Sequence, residues 1–72
     1  MADTATKTYE DILYRVEDGV AVVMLNRPEK LNAWRGEMDR DVRAAMREAA
    51  DDPEVKIIIL TGAGKGFCAG AD

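Results

Sequence analysis

An α/β architecture in the order β-β-α-β is what this sequence predicts, and three observations predict it. Two apolar runs flank an Asp18-Gly19 pair, and a later stretch repeats apolar residues at spacings of three and four. After that, the short β-branched run "VKIIIL" passes directly into a loop of small residues, "TGAGKG". Two strands joined by a tight turn, a helix and a third strand follow in that order.

The opening "MADTATK" is small and polar, so residues 1–8 read as a flexible end ahead of a domain running from Tyr9 to Asp72. Ile12, Tyr14 and Val16 alternate as a half-buried strand does. Asp18-Gly19 supplies the turn, and "VAVVMLN" is uniformly apolar, which reads as a strand covered on both faces. Pro28 has no N–H for a ladder and biases Arg27 away from helix, so this strand is expected to stop near Asn26. Beyond the loop, Met38, Val42, Ala45, Met46 and Ala49 form one apolar stripe along "GEMDRDVRAAMREAADD". Asp39 and Arg43 stand four apart as a weak surface pair, and Asp52-Pro53 ends the helix. "EVKIIIL", bounded by Pro and Gly, then reads as a buried strand.

A strand, a crossover helix and a strand imply parallel pairing, so "VAVVML" and "KIIIL" are expected to be sheet neighbours. A parallel sheet ordinarily carries helices on both faces. One helix cannot cover both, so one face is expected to stay open, and the sequence reads as the opening part of a larger domain.

Composition narrows the chemistry. Fourteen acidic residues against ten scattered basic ones give a net charge of −4, which argues against a nucleic-acid partner. A single Cys, no secretory leader pattern and no apolar stretch near about 18 residues point to a cytoplasmic setting without a membrane span. No His is present, which excludes a Ser/His/Asp triad, a Cys/His pair and any imidazole-based zinc site within these residues. Catalysis here must run on carboxylates, Lys, Cys or backbone groups, and no metal or separate cofactor is expected.

The closing "LTGAGKGFCAGAD" holds four Gly and three Ala, in the place where α/β sheets bind ligands, beyond the carboxyl end of a parallel strand. A tight turn without a ligand is the plainer reading of the same residues. The phosphate-loop pattern G-x-x-x-x-G-K-[ST] fails twice, because Gly66 follows Lys65 and Ile59 occupies the first Gly position. Gly64, Gly66 and Ala69 do fit G-x-G-x-x-A, but that fingerprint belongs in a first strand-to-helix turn and here follows a hairpin and a helix. Cys68 lacks an activating His and reads as a small buried filler rather than a nucleophile. Trp34 reads as packing beneath the loop rather than lining a pocket. Lys30 and Lys65 can steer an anion, although solvated lysines look the same in sequence.

Two segments, "VAVVMLNRPEKLNA" and "DDPEVKIIILTGAGKGFCAGAD", one helix apart and behind a hairpin, closely resemble the amino-terminal part of the crotonase superfamily of enoyl-CoA hydratases and isomerases. The resemblance covers nearly everything from Tyr9 to Asp72. It implies a repeated ββα spiral, of which residues 9–72 are the amino-terminal part, homotrimeric or hexameric assembly, and an acyl-CoA thioester as substrate, with coenzyme A entering only as part of it. On the matching positions it places Lys30, Leu31 and Ala33 along the pantetheine and nucleotide of CoA, and Ala69, Gly70, Ala71 and Asp72 around its adenine end. The backbone N–H of Ala71 is implied to be one half of an oxyanion hole, where small neighbours let a thioester oxygen come within about 3 Å of the donor.

The resemblance also implies that the second oxyanion donor and the hydratase glutamates come later than Asp72. Residues 1–72 are therefore expected to be inactive alone. Enoyl-CoA hydration is the implied reaction, beside isomerisation and the superfamily's other chemistries. Two readings from other classes remain open at this point: a non-catalytic CoA-binding module and a nucleotide-binding protein.

Overall fold

The computed structural model describes residues 5–70. Four strands, β1 (Ala5–Thr8), β2 (Ile12–Glu17), β3 (Val20–Leu25) and β4 (Ile57–Gly62), form one sheet in the order β1-β2-β3-β4, and helix α1 (Gly36–Asp51) crosses from β3 to β4. β2 and β3 pair antiparallel from Ile12 opposite Leu25 to Glu17 opposite Val20. Asp18 and Gly19 join them with φ of 52° and 79°, the two positive dihedrals that a type I′ hairpin turn demands.

β3 and β4 pair in parallel from Val20 opposite Ile57 to Leu25 opposite Gly62, as the crossover helix predicts. The ladder is fastened at both ends. The Gly19 carbonyl accepts the amides of Lys56 at 2.7 Å and Ile57 at 3.2 Å, and the Leu25 carbonyl accepts that of Ala63 at 2.8 Å.

The core lies between one face of β2–β3 and the helix. Ile12, Tyr14, Val16, Ala21, Val23 and Leu25 meet Met38, Val42, Ala45 and Ala49 there. The larger aliphatic side chains among them contribute about 1.5–3 kcal/mol each when fully buried, which helps to hold a 16-residue helix that would be marginal in isolation. Met46, at the edge of the predicted stripe, is only half-buried. α1 ends at Asp51, just ahead of Asp52-Pro53.

Three sequence expectations need correction. Residues 1–8 are not wholly a loose end, because Ala5–Thr8 pairs antiparallel with β2; the backbone groups of an edge strand suffice to recruit a neighbour without any apolar pattern. Residues 1–4 lie outside the described residues.

β3 is covered on one face only: Ala21, Val23 and Leu25 are buried, whereas Val20, Val22 and Met24 are half-buried. β4, expected to be buried, is open on both faces, with Ile57, Ile58, Ile59 and Leu60 between 38% and 56% exposed. The cause is the placing of α1, which packs against β2 and β3 and stops short of the edge. β-branched composition reports a strand but not what covers it.

Candidate functional site

Because Leu25 stands level with Gly62, the loops that follow β3 and β4 leave the sheet side by side. The first, residues 26–35, contains one 3₁₀ turn at Pro28–Lys30. Pro28 suits that turn's first position, where its fixed φ fits and no N–H is wanted. The loop then satisfies its own amides. Lys30 and Asn32 donate to the Arg27 carbonyl, Leu31 to that of Pro28 and Ala33 to that of Lys30, all within 2.8–3.1 Å. The Arg27 guanidinium Nη1 closes it by donating to the Ala33 carbonyl at 2.7 Å.

Leu31 and Asn32 are both left-handed, with φ of 52° and 57°. Asn tolerates that region, whereas a residue like Leu is strained there by roughly 1–2 kcal/mol. Leu31 is nonetheless 51% exposed. A strained backbone holding an apolar side chain in water marks a position kept for something other than stability.

The second loop, residues 63–70, folds back over the end of β4. The fit is so close that a Cβ on Gly62 would lie 2.6 Å from the Phe67 carbonyl oxygen and 2.9 Å from Asn32 Nδ2. Asn32 joins the two loops. Its Oδ1 accepts the Arg27 amide at 2.7 Å, and its Nδ2 donates to the carbonyls of Ala63 and Gly66 at 2.8 Å each. Two backbone bonds extend the junction: Ala69 N–H donates to the Leu31 carbonyl at 3.0 Å, and Trp34 N–H to the Gly70 carbonyl at 2.8 Å. Gly70 has φ of 112°, a conformation open to Gly and to few other residues.

The base of the first loop is fixed by charge. Arg35 Nε and Nη2 each donate to one oxygen of Asp11 at 2.7 Å, a bidentate pair whose carboxylate is almost wholly buried. The Arg35 guanidinium, chiefly through those hydrogen bonds, holds the Asp11 carboxyl below the usual carboxylate range. The Asp11 amide in turn donates to Asp41 Oδ2 at 2.8 Å, docking the start of α1 onto the turn before β2. Asp39 is likewise lowered, first by its hydrogen bond from Arg43, the predicted surface pair.

Five of the candidate residues from the sequence thus share one structure. Lys30 is exposed on the 3₁₀ turn, Leu31 is bonded to Ala69, Ala33 holds Arg27, and Gly70 is bonded to Trp34. Ala71 and Asp72 lie outside the described residues. Trp34 packs against the core, in line with its predicted role, and Cys68, expected to be buried, is half-buried against the same cluster. Sequence reasoning missed Asn32. The available signal was an Asn following a Pro-led turn, where a left-handed residue with a side chain able to bond backbone is wanted.

Chemically, the two described loops offer crowded backbone, exposed apolar groups at Leu31 and Phe67, and lysines at 30 and 65. Glu29 is the single carboxylate in residues 26–35 and 62–70. These described residues therefore hold no pair of carboxylates for proton transfer. Among the described residues, no helix is long and apolar enough to cross a membrane.

Comparison with known proteins places this arrangement. The enoyl-CoA hydratase/isomerase family model matches residues 20–72. The probable enoyl-CoA hydratase EchA14 of Mycobacterium tuberculosis is 45% identical over 64 residues, covering 89% of this chain and 25% of the relative. The 1,2-epoxyphenylacetyl-CoA isomerase of Escherichia coli is 44% identical over 63 residues, covering 88% and 24%. Among solved structures, an enoyl-CoA hydratase/isomerase from Xanthobacter autotrophicus superposes with a TM-score of 0.88 at 48% identity, over 90% of this chain and 24% of that one. The chain spans about a quarter of the length of the relatives it matches.

Proposed function

The chain belongs to the enoyl-CoA hydratase/isomerase family, and from that premise we propose that the protein binds an acyl-CoA thioester and stabilises the enolate-like oxyanion formed from it. Addition of water to a 2-enoyl-CoA is the reaction. The observation that carries this reading is the junction of the two loops, where the exposed, left-handed Leu31 accepts the Ala69 amide and the Gly70 carbonyl accepts that of Trp34.

In this reading Lys30, Leu31 and Ala33 line the pantetheine and nucleotide of CoA, with Leu31 exposed because the ligand covers it. Ala69, Gly70, Ala71 and Asp72 hold the adenine end. The Ala71 N–H is one oxyanion donor. Such a donor is worth roughly 3–4 kcal/mol of barrier, because it strengthens as charge develops on the oxygen. The second donor and the proton-transferring carboxylates come from outside residues 26–72, and the working assembly is a homotrimer or hexamer. The similarity to a 1,2-epoxyphenylacetyl-CoA isomerase, at nearly the same identity as to the hydratase, supports isomerisation as the second reading.

Titration calorimetry of the intact protein with acetyl-CoA and with NAD tests the substrate class. Acetyl-CoA is expected to bind and NAD not to; the reverse result overturns the reading in favour of a nucleotide-binding protein. Hydration of crotonyl-CoA, followed by loss of enoyl absorbance, then separates an enzyme from a CoA-binding module.

A further inference from the structure

We infer that Asn32 is a positioning residue for the acyl-CoA site, a clasp whose carboxamide holds the loop after β3 in register with the loop after β4. The inference rests on the reading of those loops as the CoA-ester site, and it adds a residue that touches no substrate.

Asn32 is fully buried, at 0% exposure. Both of its N–H donors are used, one on Ala63 and one on Gly66, and its oxygen takes the Arg27 amide. The orientation is unambiguous, since exchanging oxygen and nitrogen would set an oxygen against two carbonyls and an amino group against an N–H. Asp would keep the acceptor and lose both donors. Gln is a methylene longer and Ser a donor short, while a residue without a side chain would take this partner from the buried Arg27 amide and from the half-buried carbonyls of Ala63 and Gly66.

The clasp also governs what lies beyond it. The bonds from Ala69 to Leu31 and from Trp34 to Gly70 come just after residues 63–66, on the same loop that reverses over Gly62 beside Asn32. Freeing Nδ2 therefore loosens Ala69 and Gly70, the approach to the proposed oxyanion amide. A donor displaced by even an ångström loses most of its preference for the transition state, whereas contacts spread along a CoA chain tolerate such a shift.

The test uses the intact protein and the variants Asn32→Asp and Asn32→Gly, the second because it keeps the left-handed backbone without a clasp. With crotonyl-CoA, kcat is expected to fall about tenfold or more in both variants while KM changes by less than about threefold. Hydrogen-exchange mass spectrometry is expected to show faster exchange in peptides covering residues 63–70 and unchanged exchange in those covering β2 and β3. In Asn32→Asp, lowering the pH from about 8 to about 5 is expected to narrow the deficit relative to wild type, since a protonated carboxyl regains one donor.

Unchanged kcat, or unchanged exchange over residues 63–70, overturns the clasp. An intact wild-type protein that neither binds nor turns over the CoA ester overturns the site reading, and the positioning role falls with it. The exchange measurement needs no ligand, so the two failures are told apart.

Discussion

At the scale of single residues, the molecule depends on a few groups with no freedom to change. Gly62 is one, since the Phe67 carbonyl oxygen would stand 2.6 Å from any Cβ placed there. Gly62→Ala is expected to cost about 1–3 kcal/mol, as overpacking does, read as a lower denaturation midpoint in urea. Asp11 is another. Its folded pKa lies below its unfolded value because Arg35 donates two hydrogen bonds to the charged form. The stabilisation is therefore complete above the unfolded value of 3.8 and is lost as pH falls through the lower folded one. Asp11→Asn is expected to lower stability at neutral pH by more than Asp39→Asn does, and to flatten the acid limb of stability against pH; equal effects of the two substitutions would refute this. The glycine-rich loop was legible in sequence because Gly and Ala are unusual behind a β-branched run. The turn chemistry of Asn32 was local, but its bonds to Ala63 and Gly66 and the Asp11–Arg35 pair were not legible, because those partners lie 31, 34 and 24 residues away.

At the scale of elements, the hairpin, the helix and the parallel pairing were readable because each is written locally, in Asp18-Gly19, in a stripe of period near 3.6, and in a crossover too long for a hairpin. β1 escaped notice because "ATKT" has no apolar alternation, and edge pairing asks for none. β4 was recognised as a strand and misjudged as buried, since its isoleucines announce a pleated conformation whatever lies on either side. The helix depends on its stripe, and Met38 is the largest side chain that α1 buries completely. Met38→Ala is expected to destabilise by about 2–5 kcal/mol through lost transfer energy and the cavity left behind. Denaturation of the variant with an unchanged midpoint would show that the helix is held by something other than this contact.

At the scale of the whole molecule, the sheet is one-sided. α1 covers β2 and β3 and leaves Ile57 to Leu60 between 38% and 56% exposed. An uncharged run of this kind at an open strand edge is a template for pairing with further chains. Residues 1–72 expressed alone are accordingly expected to self-associate at micromolar concentration; sedimentation showing a monomer with a sharp, reversible thermal transition would refute that. The sequence foretold an uncovered face by simple counting, one helix for a parallel pair, but not that the last strand would lie bare on both sides. What the two anchor points of that strand achieve is separate. With Gly19 gripping its start and Leu25 its finish, β4 is moored to a single neighbour fore and aft. Residues added at the exposed Pro53-Glu54 bend would bulge into water rather than slide Gly62 along Leu25. Evolution can therefore edit the length of the crossover while the mouth between the two loops keeps its shape.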